Sequence, residues 1–291
     1  MLVASSLEPA SISSDLSGVC SKMSEAEPLD LFLDTSAQFN RQSLDGEVRQ
    51  EIEELVGAAR ITASSTYSKL EFKLSFLQDL AYLHGKLRRF RSIPAVYAEL
   101  SRLPSPYHDR KLRRTLAHLA RFHQDLPGGD AARVDAMLLS IEAAASALWD
   151  WFDESVDYLT DGTGCVRSKE GPRFTRGHVD VTHKECRPSE IRCRIHRFFT
   201  ENESSFGKIA VGIDALPDEE KTRELTVIRE IIGRAVADPT VLCDNRRCRR
   251  LGDAIIGVDG KGFPAIASSN LREFTIICKA LEKTLQPLLP S

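Results

Sequence analysis

The sequence predicts an α/β protein, a parallel sheet flanked by helices and interrupted by a mostly helical insertion. Three observations predict it. A short apolar run, Leu29 and Leu31 to Leu33, stops at the polar triplet Asp34-Thr35-Ser36, as a buried strand does when it delivers polar groups at its C-terminal end. Strand, helix, strand and helix then follow one another within 60 residues, the order of a parallel sheet with crossover helices. The same order returns near the C-terminus, and two long amphipathic segments lie between.

Each element has its own signal. A helix is expected from about Asp45 to Ala59, because Val48, Ile52, Leu55 and Val56 recur at helical spacing. Ile61 to Ala63 reads as a second strand, and Ser64, Ser65 or Thr66 caps a helix running to about His84. Leu112, Leu116, Leu119 and His123 share one helical face; Val134, Leu138, Ile141, Ala145, Leu148, Phe152 and Leu159 trace another. Pro127-Gly128-Gly129-Asp130 between them predicts an antiparallel helical pair. Residues 161–200 read as irregular. Ile228 to Val236 is expected as helix, Leu251 to Val258 as a short helix ended by Gly260-Lys261-Gly262, Phe263 to Ala267 as a strand, and Leu271 to Leu285 as a closing helix. The chain accordingly divides into a loosely held leader (1–28), the first part of the core (29–85), an insertion (86–220) and the second part of the core (221–291).

Composition narrows the function classes. An apolar fraction of 42%, with 13 Phe and 5 Tyr, is that of a folded chain. No run approaches the roughly 20 apolar residues that span a bilayer, and the N-terminus lacks a basic head followed by an apolar core, so a cytoplasmic protein with no membrane partner is expected. In that compartment the seven cysteines read as free thiols or metal ligands rather than disulfides. A formal charge of -3 permits a basic groove beside an acidic site.

Such an acidic site is expected at the C-terminal edge of the sheet, where open parallel sheets place their ligands. Asp34 ends the first strand and Ser268-Ser269-Asn270 ends the last. Glu71 lies in the second turn of its helix, and Asp253 opens a helix of apolar residues. Carboxylates converging in a medium of low effective dielectric repel one another, and a hard divalent cation, Mg²⁺ or Mn²⁺, removes that repulsion. Each residue also has a plainer role: Asp34 as a helix cap, Glu71 on an exposed helix face, Asp253 as a favourable charge at a helix N-terminus, and Asn270 as a turn former.

Taken together the four segments resemble the PIN-domain family of ribonucleases, which includes many bacterial toxin nucleases. The resemblance rests on Leu31-Phe32-Leu33-Asp34-Thr35-Ser36, on Tyr67-Ser68-Lys69-Leu70-Glu71, on Leu251-Gly252-Asp253-Ala254-Ile255-Ile256-Gly257, and on Ala265-Ile266-Ala267-Ser268-Ser269-Asn270-Leu271-Arg272-Glu273-Phe274. It implies a PIN-like core, metal ligation by Asp34, Glu71 and Asp253, and a catalytic set completed by Asn270. Ser36 and Ser268 become polar or phosphate contacts, and Glu273, before the anchoring Phe274, reads as structural. The long gap between Glu71 and Asp253 and the neutral Asn270, where many relatives carry a fourth acid, depart from the family pattern. With Asn270 neutral, one firmly held metal is expected rather than two.

The insertion carries a second candidate centre. Cys165, His178, His183, Cys186, Cys193 and His196 are soft or borderline ligands suited to a structural Zn²⁺, although their spacing is not that of a paired zinc motif. Buried thiols and loop histidines are the plainer reading. Basic residues gather near the acidic motifs: Lys86, Arg88, Arg89 and Arg91; Arg187, Arg192, Arg194 and Arg197; and Arg246, Arg247, Arg249 and Arg250 just before Asp253. Arg249 and Arg250 are the candidates for phosphate contact. Of Trp149, Trp151 and Phe152, which cannot all face one core, one is a candidate base-stacking or partner contact.

The function expected is metal-dependent phosphodiester hydrolysis by an endoribonuclease, with DNA an open substrate. The resemblance adds a toxin-like role with a protein inhibitor or regulatory partner, and a homodimer. The alternative is a catalytically inactive PIN-like protein that binds nucleic acid or serves in assembly; a phosphatase or structure-specific nuclease would use similar metals on other substrates.

Overall fold

The computed structural model describes residues 29–42, 46–102, 106–123, 128–175, 178–181 and 193–288. Its main sheet is formed by β1 (Asp30–Leu33), β2 (Ile61–Ser65), β3 (Tyr158–Thr160), β6 (Ala265–Ser268) and β7 (Thr284–Pro287); β4 (Arg173–Thr175) and β5 (His178–Asp180) form a separate antiparallel hairpin. The five strands are all parallel, in the order β3-β2-β1-β6-β7. Parallel pairing puts every C-terminal strand end at one edge. There Leu33 stands beside Ala267, one residue before Asp34 and Ser268 respectively.

Strand alternation divides the apolar residues between two faces. Leu31, Leu33, Ala265 and Ala267 point to the side covered by α2 (Gly46–Ala58), where Ile52 is fully buried. Phe32, Ala63 and Ile266 point to the other side, into a core built with α8 (Ile195–Glu201), α9 (Glu203–Asp214), α10 (Arg223–Ala237), α12 (Gly252–Asp259) and α13 (Leu271–Ala280). Gly260, just beyond α12, is required for the fit, because a Cβ there would lie 2.8 Å from the Phe32 ring.

The helix expected after β2 is longer than its sequence signal. Ser65 caps α3 (Thr66–Phe72) by accepting from the Ser68 N–H; a π-helical turn follows at Lys73–Leu77, and α4 (Gln78–Phe90) continues it. Arg91, with φ 52, ends it in the left-handed conformation. The interior face of this helix nucleates a second core. Phe72, Phe76, Leu80, Leu83 and Leu87 pack against α5 (Ile93–Leu100), α6 (Pro106–His123) and α7 (Asp130–Glu154). The antiparallel helical pair expected on either side of Pro127 corresponds to α6 and α7, although residues 124–127 lie outside the described residues.

Several local expectations change. Leu159 belongs to β3 rather than to the α7 face: Asp157 accepts from the Thr62 N–H at 2.8 Å and turns the chain alongside β2. Residues 86–220 therefore supply an edge strand to the main sheet. They also supply Ile195, Phe198, Phe199, Phe206 and Ile209 to the core that α12 completes. Residues 161–200 are not wholly irregular, since they contain the hairpin and α8. The closing helix stops at Ala280, not Leu285. The Lys283 N–H closes on the Cys278 carbonyl at 2.8 Å, Glu282 takes φ 57, and Leu285 pairs with Ile266 as part of β7. Edge pairing to β6 outweighs the weak helical periodicity of the last four residues. The strand expected from Phe263 to Ala267 is β6, which begins at Ala265 and runs to Ser268. The leader expected at 1–28 lies outside the described residues. Among the described residues no helix is long and apolar enough to cross a membrane.

Candidate active site

The sheet edge gathers the acidic motifs. Asp34 is the N-cap of α1 (Thr35–Arg41), accepting from the Ala37 N–H at 2.7 Å, so the plain capping role holds. The same carboxylate does more than cap. Its Oδ2 accepts from the Ser268 hydroxyl at 2.8 Å, across 234 residues of sequence, and the Ser36 hydroxyl donates to its Oδ1 at 2.8 Å. Ser36 in turn accepts from the Ser269 N–H at 2.8 Å, and Ser268 accepts from the Asn270 N–H at 2.9 Å. The loops after the first and the sixth strand are thereby locked to one another through Asp34.

Glu71 and Asp253 reach this edge from α3 and α12, which pack against one another on the same face of the sheet. Thr35, the first residue of α1, donates its hydroxyl to Glu71 Oε2 at 2.9 Å. Gly252 opens α12 against the same carboxylate: a Cβ at Gly252 would fall 2.2 Å from Glu71 Oε1. Asp253 follows in the first turn of α12, where its charge also suits the helix N-terminus, and Asn270 donates its amide to Asp253 Oδ2 at 3.1 Å. Asp34 is 2% exposed, whereas Glu71 and Asp253 each keep an edge in contact with solvent. A ligand can reach those two without unfolding the sheet.

Burial raises all three carboxyls, and the charge of Asp34 adds to the rise of the other two. Burial pushes the Asp34 carboxyl up to about 6, against hydrogen bonds from the Ala37 N–H and from Ser268 and Ser36 that pull it down. Burial, reinforced by the charge of Asp34, lifts Glu71 to about 7, while Thr35 and Arg249 oppose the rise. Asp253 is raised well above the ordinary carboxylate range by burial first, then by Glu71, Asp34 and Glu273. Such mutual repulsion is what a bound cation removes. Among the described residues, no group of three or more His, Cys, Asp or Glu side chains is already arranged to hold a metal ion. The donor set itself, all carboxylate oxygen with hydroxyl and amide support, has the hardness that suits Mg²⁺ or Mn²⁺.

The other expected site residues fare differently. Arg249 and Arg250 are exposed on α11 (Asn245–Arg250), and Arg249 is close enough to Glu71 for its charge to be felt there. Lys86 is paired with Glu99, Arg91 with Asp135 and Arg197 with Glu201. Phe152 is fully buried and Trp149 nearly so, which leaves Trp151 as the partly exposed ring, with the Arg41 guanidinium 5.3 Å from its centroid. Of the zinc candidates, His183 and Cys186 lie outside the described residues, and His178 is placed only as part of the hairpin. Cys165 is buried in the sheet core, Cys193 packs against that core, and His196 lies 4.0 Å from Cys243.

Three contributors carry little signal in the sequence. Thr35 and Gly252 are each one residue from a carboxylate of the set, but nothing in a sequence distinguishes a clamp or a close approach from an ordinary neighbour. Glu273, expected to be structural, is 6% exposed, and its charge raises Asp253. No family model, curated protein or solved structure matches this chain.

Proposed function

We propose that the chain is a PIN-like, metal-dependent endoribonuclease whose catalytic centre is the sheet edge formed by Asp34, Glu71, Asp253 and Asn270. The observation that carries the reading is geometric: carboxylates from positions 34, 71 and 253 are gathered at one sheet edge, each held by a hydroxyl or amide donor, and two of them keep an edge open to solvent. Without a counter-charge burial favours the protonated carboxyls, and a bound cation would favour their ionised forms instead.

Mg²⁺ or Mn²⁺ held by Asp34, Glu71 and Asp253 would polarise a phosphoryl oxygen and acidify a water molecule. The chain's own groups fix the donors. Ser36 and Ser268 hold both oxygens of Asp34 in one rotamer, Thr35 holds Glu71, and Asn270 holds Asp253 through a single hydrogen bond from its side-chain amide. Preorganisation of this kind removes the entropic cost of collecting three flexible side chains at the moment of reaction. The guanidinium of Arg249, exposed and within electrostatic reach of Glu71, is suited to a backbone phosphate of the incoming strand.

The alternative reading, an inactive PIN-like nucleic-acid-binding or assembly protein, has one observation in its favour. Asn270 is already a donor to Asp253, occupying a lone pair that catalysis would otherwise use. Cleavage assays on RNA and DNA pools with Mg²⁺ and Mn²⁺, run beside D34N and D253N, decide between the two. Metal-dependent cleavage lost in both variants supports the nuclease. Binding without cleavage on every substrate supports the alternative, and undiminished activity in both variants rejects the assigned site.

A further inference from the structure

A cavity of about 290 Å³ opens in the helical half of the molecule, between α6 and α7 and over the π-helical turn. Its apolar walls are Phe76, Phe122, Leu148 and Trp151. Three polar residues interrupt them, Gln42, His118 and Arg121. His118 is only 6% exposed, its Nε2 atom is fully buried, and no hydrogen-bond partner meets that atom. Arg121, on the same helix, is exposed at the mouth and forms no ion pair among the described residues.

Each feature constrains what the cavity can hold. Its volume is near the lower end for small-molecule sites, which run from roughly 300 Å³ upward. The aromatic walls favour a flat, apolar body. No acidic side chain lines the cavity. The nearby Arg114 guanidinium is committed to Asp79 at 2.7 Å, so the charge of Arg121 is the one left at the rim. Burial, with the charges of Arg121 and Arg114, holds His118 down at about 4, leaving it a neutral imidazole with an unanswered ring nitrogen. The inner wall is therefore neutral, and an anionic group of a ligand belongs at the mouth beside Arg121.

We propose that the cavity bounded by His118, Arg121, Phe76 and Trp151 is a binding site for a small planar aromatic carboxylate. The ring fills the aromatic slot, and the carboxylate answers the Arg121 guanidinium at the mouth. This proposal is independent of the nuclease reading, because none of the acidic residues at the sheet edge lines the cavity.

The test is isothermal titration calorimetry of the full chain with naphthalene-2-carboxylate, naphthalene-2-carboxamide and hexanoate. The aromatic carboxylate is expected to bind with Kd below about 1 mM, and both comparison compounds about tenfold or more weakly. R121Q lowers affinity for the carboxylate about tenfold and leaves that for the carboxamide unchanged. A144F and A147F each place a ring in the space, and whichever variant keeps the native circular dichroism and Tm loses binding. The proposal is overturned if the aromatic acid gives no heat, which would make the cavity a water site, if hexanoate binds equally well, or if both filled variants bind as tightly as the parent.

Discussion

Substitution of Gly252 by alanine tests whether Glu71 belongs to the functional centre with least disturbance to the fold. Gly252 is buried at the start of α12, and an alanine Cβ would stand 2.2 Å from Glu71 Oε1, 3.3 Å from its Cδ and 3.4 Å from the Tyr67 ring. Real Cβ contacts essentially stop at 3.0 Å, so the Glu71 carboxylate must retreat by about 0.8 Å. A carboxylate at the end of a flexible side chain can do so, but only by straining or breaking the 2.9 Å bond from Thr35. The cost of that bond is about 1 kcal/mol, offset by roughly 0.5–1 kcal/mol from replacing glycine with alanine in a helix. Stability should therefore change little. Catalysis should not escape, since misplacing a positioned group by about 1 Å costs on the order of 100-fold in rate. G252A is expected to melt near the parental Tm in calorimetry and to cleave RNA about 100-fold more slowly with Mn²⁺. Full cleavage by a folded G252A would refute the placement of Glu71 at the centre, and with it the three-carboxylate reading.

D34N and D253N should each abolish cleavage, and in EDTA each should raise Tm at pH 8, because a buried like charge has been removed; an unchanged or lower Tm contradicts the repulsion argument. Asp34 near 6 and Glu71 near 7 bind protons in the folded state that the unfolded chain, with values of 3.8 and 4.5, has released. Metal-free stability should thus fall as pH rises from about 4 to about 7, and D34N should lose part of that fall in parallel pH melts. R249Q should weaken RNA binding uniformly across sequences and reduce the salt slope by about 1; a sequence-selective loss would point to base contact instead. Lys73 is 1% exposed and donates to the carbonyls of Arg167 at 2.8 Å and Glu170 at 2.6 Å, so K73M should cost about 2–3 kcal/mol in urea unfolding without changing kcat.

The parallel sheet was legible because its strands are short apolar runs that end in polar groups, and that pattern has few alternatives. Asp34 and Ser268 could be paired from topology alone, since both follow neighbouring parallel strands. β7 was not legible. Leu281 and Leu285 keep a helical spacing, and only the open edge of β6 makes an extended Leu285 the better solution. Leu159 failed for the same reason: the pairing that captures β3 lies almost a hundred residues away in β2. At the centre, the carboxylates were visible as residue types at strand and helix ends, but their clamps were not. Thr35 touches Glu71 through a hydroxyl whose direction depends on the start of α1, and Gly252 matters only for the volume it leaves empty. Of the zinc set, Cys165 packs into the sheet core and His196 lies 4.0 Å from Cys243, while His183 and Cys186 lie outside the described residues.

The Asp34–Ser268 hydrogen bond ties together groups that leave the ribosome far apart in time. At synthesis rates of about 5–20 residues per second, residues 34 and 71 are made many seconds before 253 and 268. A nascent chain that has reached α10 holds two of the carboxylates, but neither the strand that pairs with the exposed side of β1 nor the helix that carries the third. Its sheet edge has nothing to close it. For a protein with the proposed activity, the order of the motifs acts as a clock: the partly made chain is harmless to the transcript that encodes it, and the centre assembles only once the last motif has emerged.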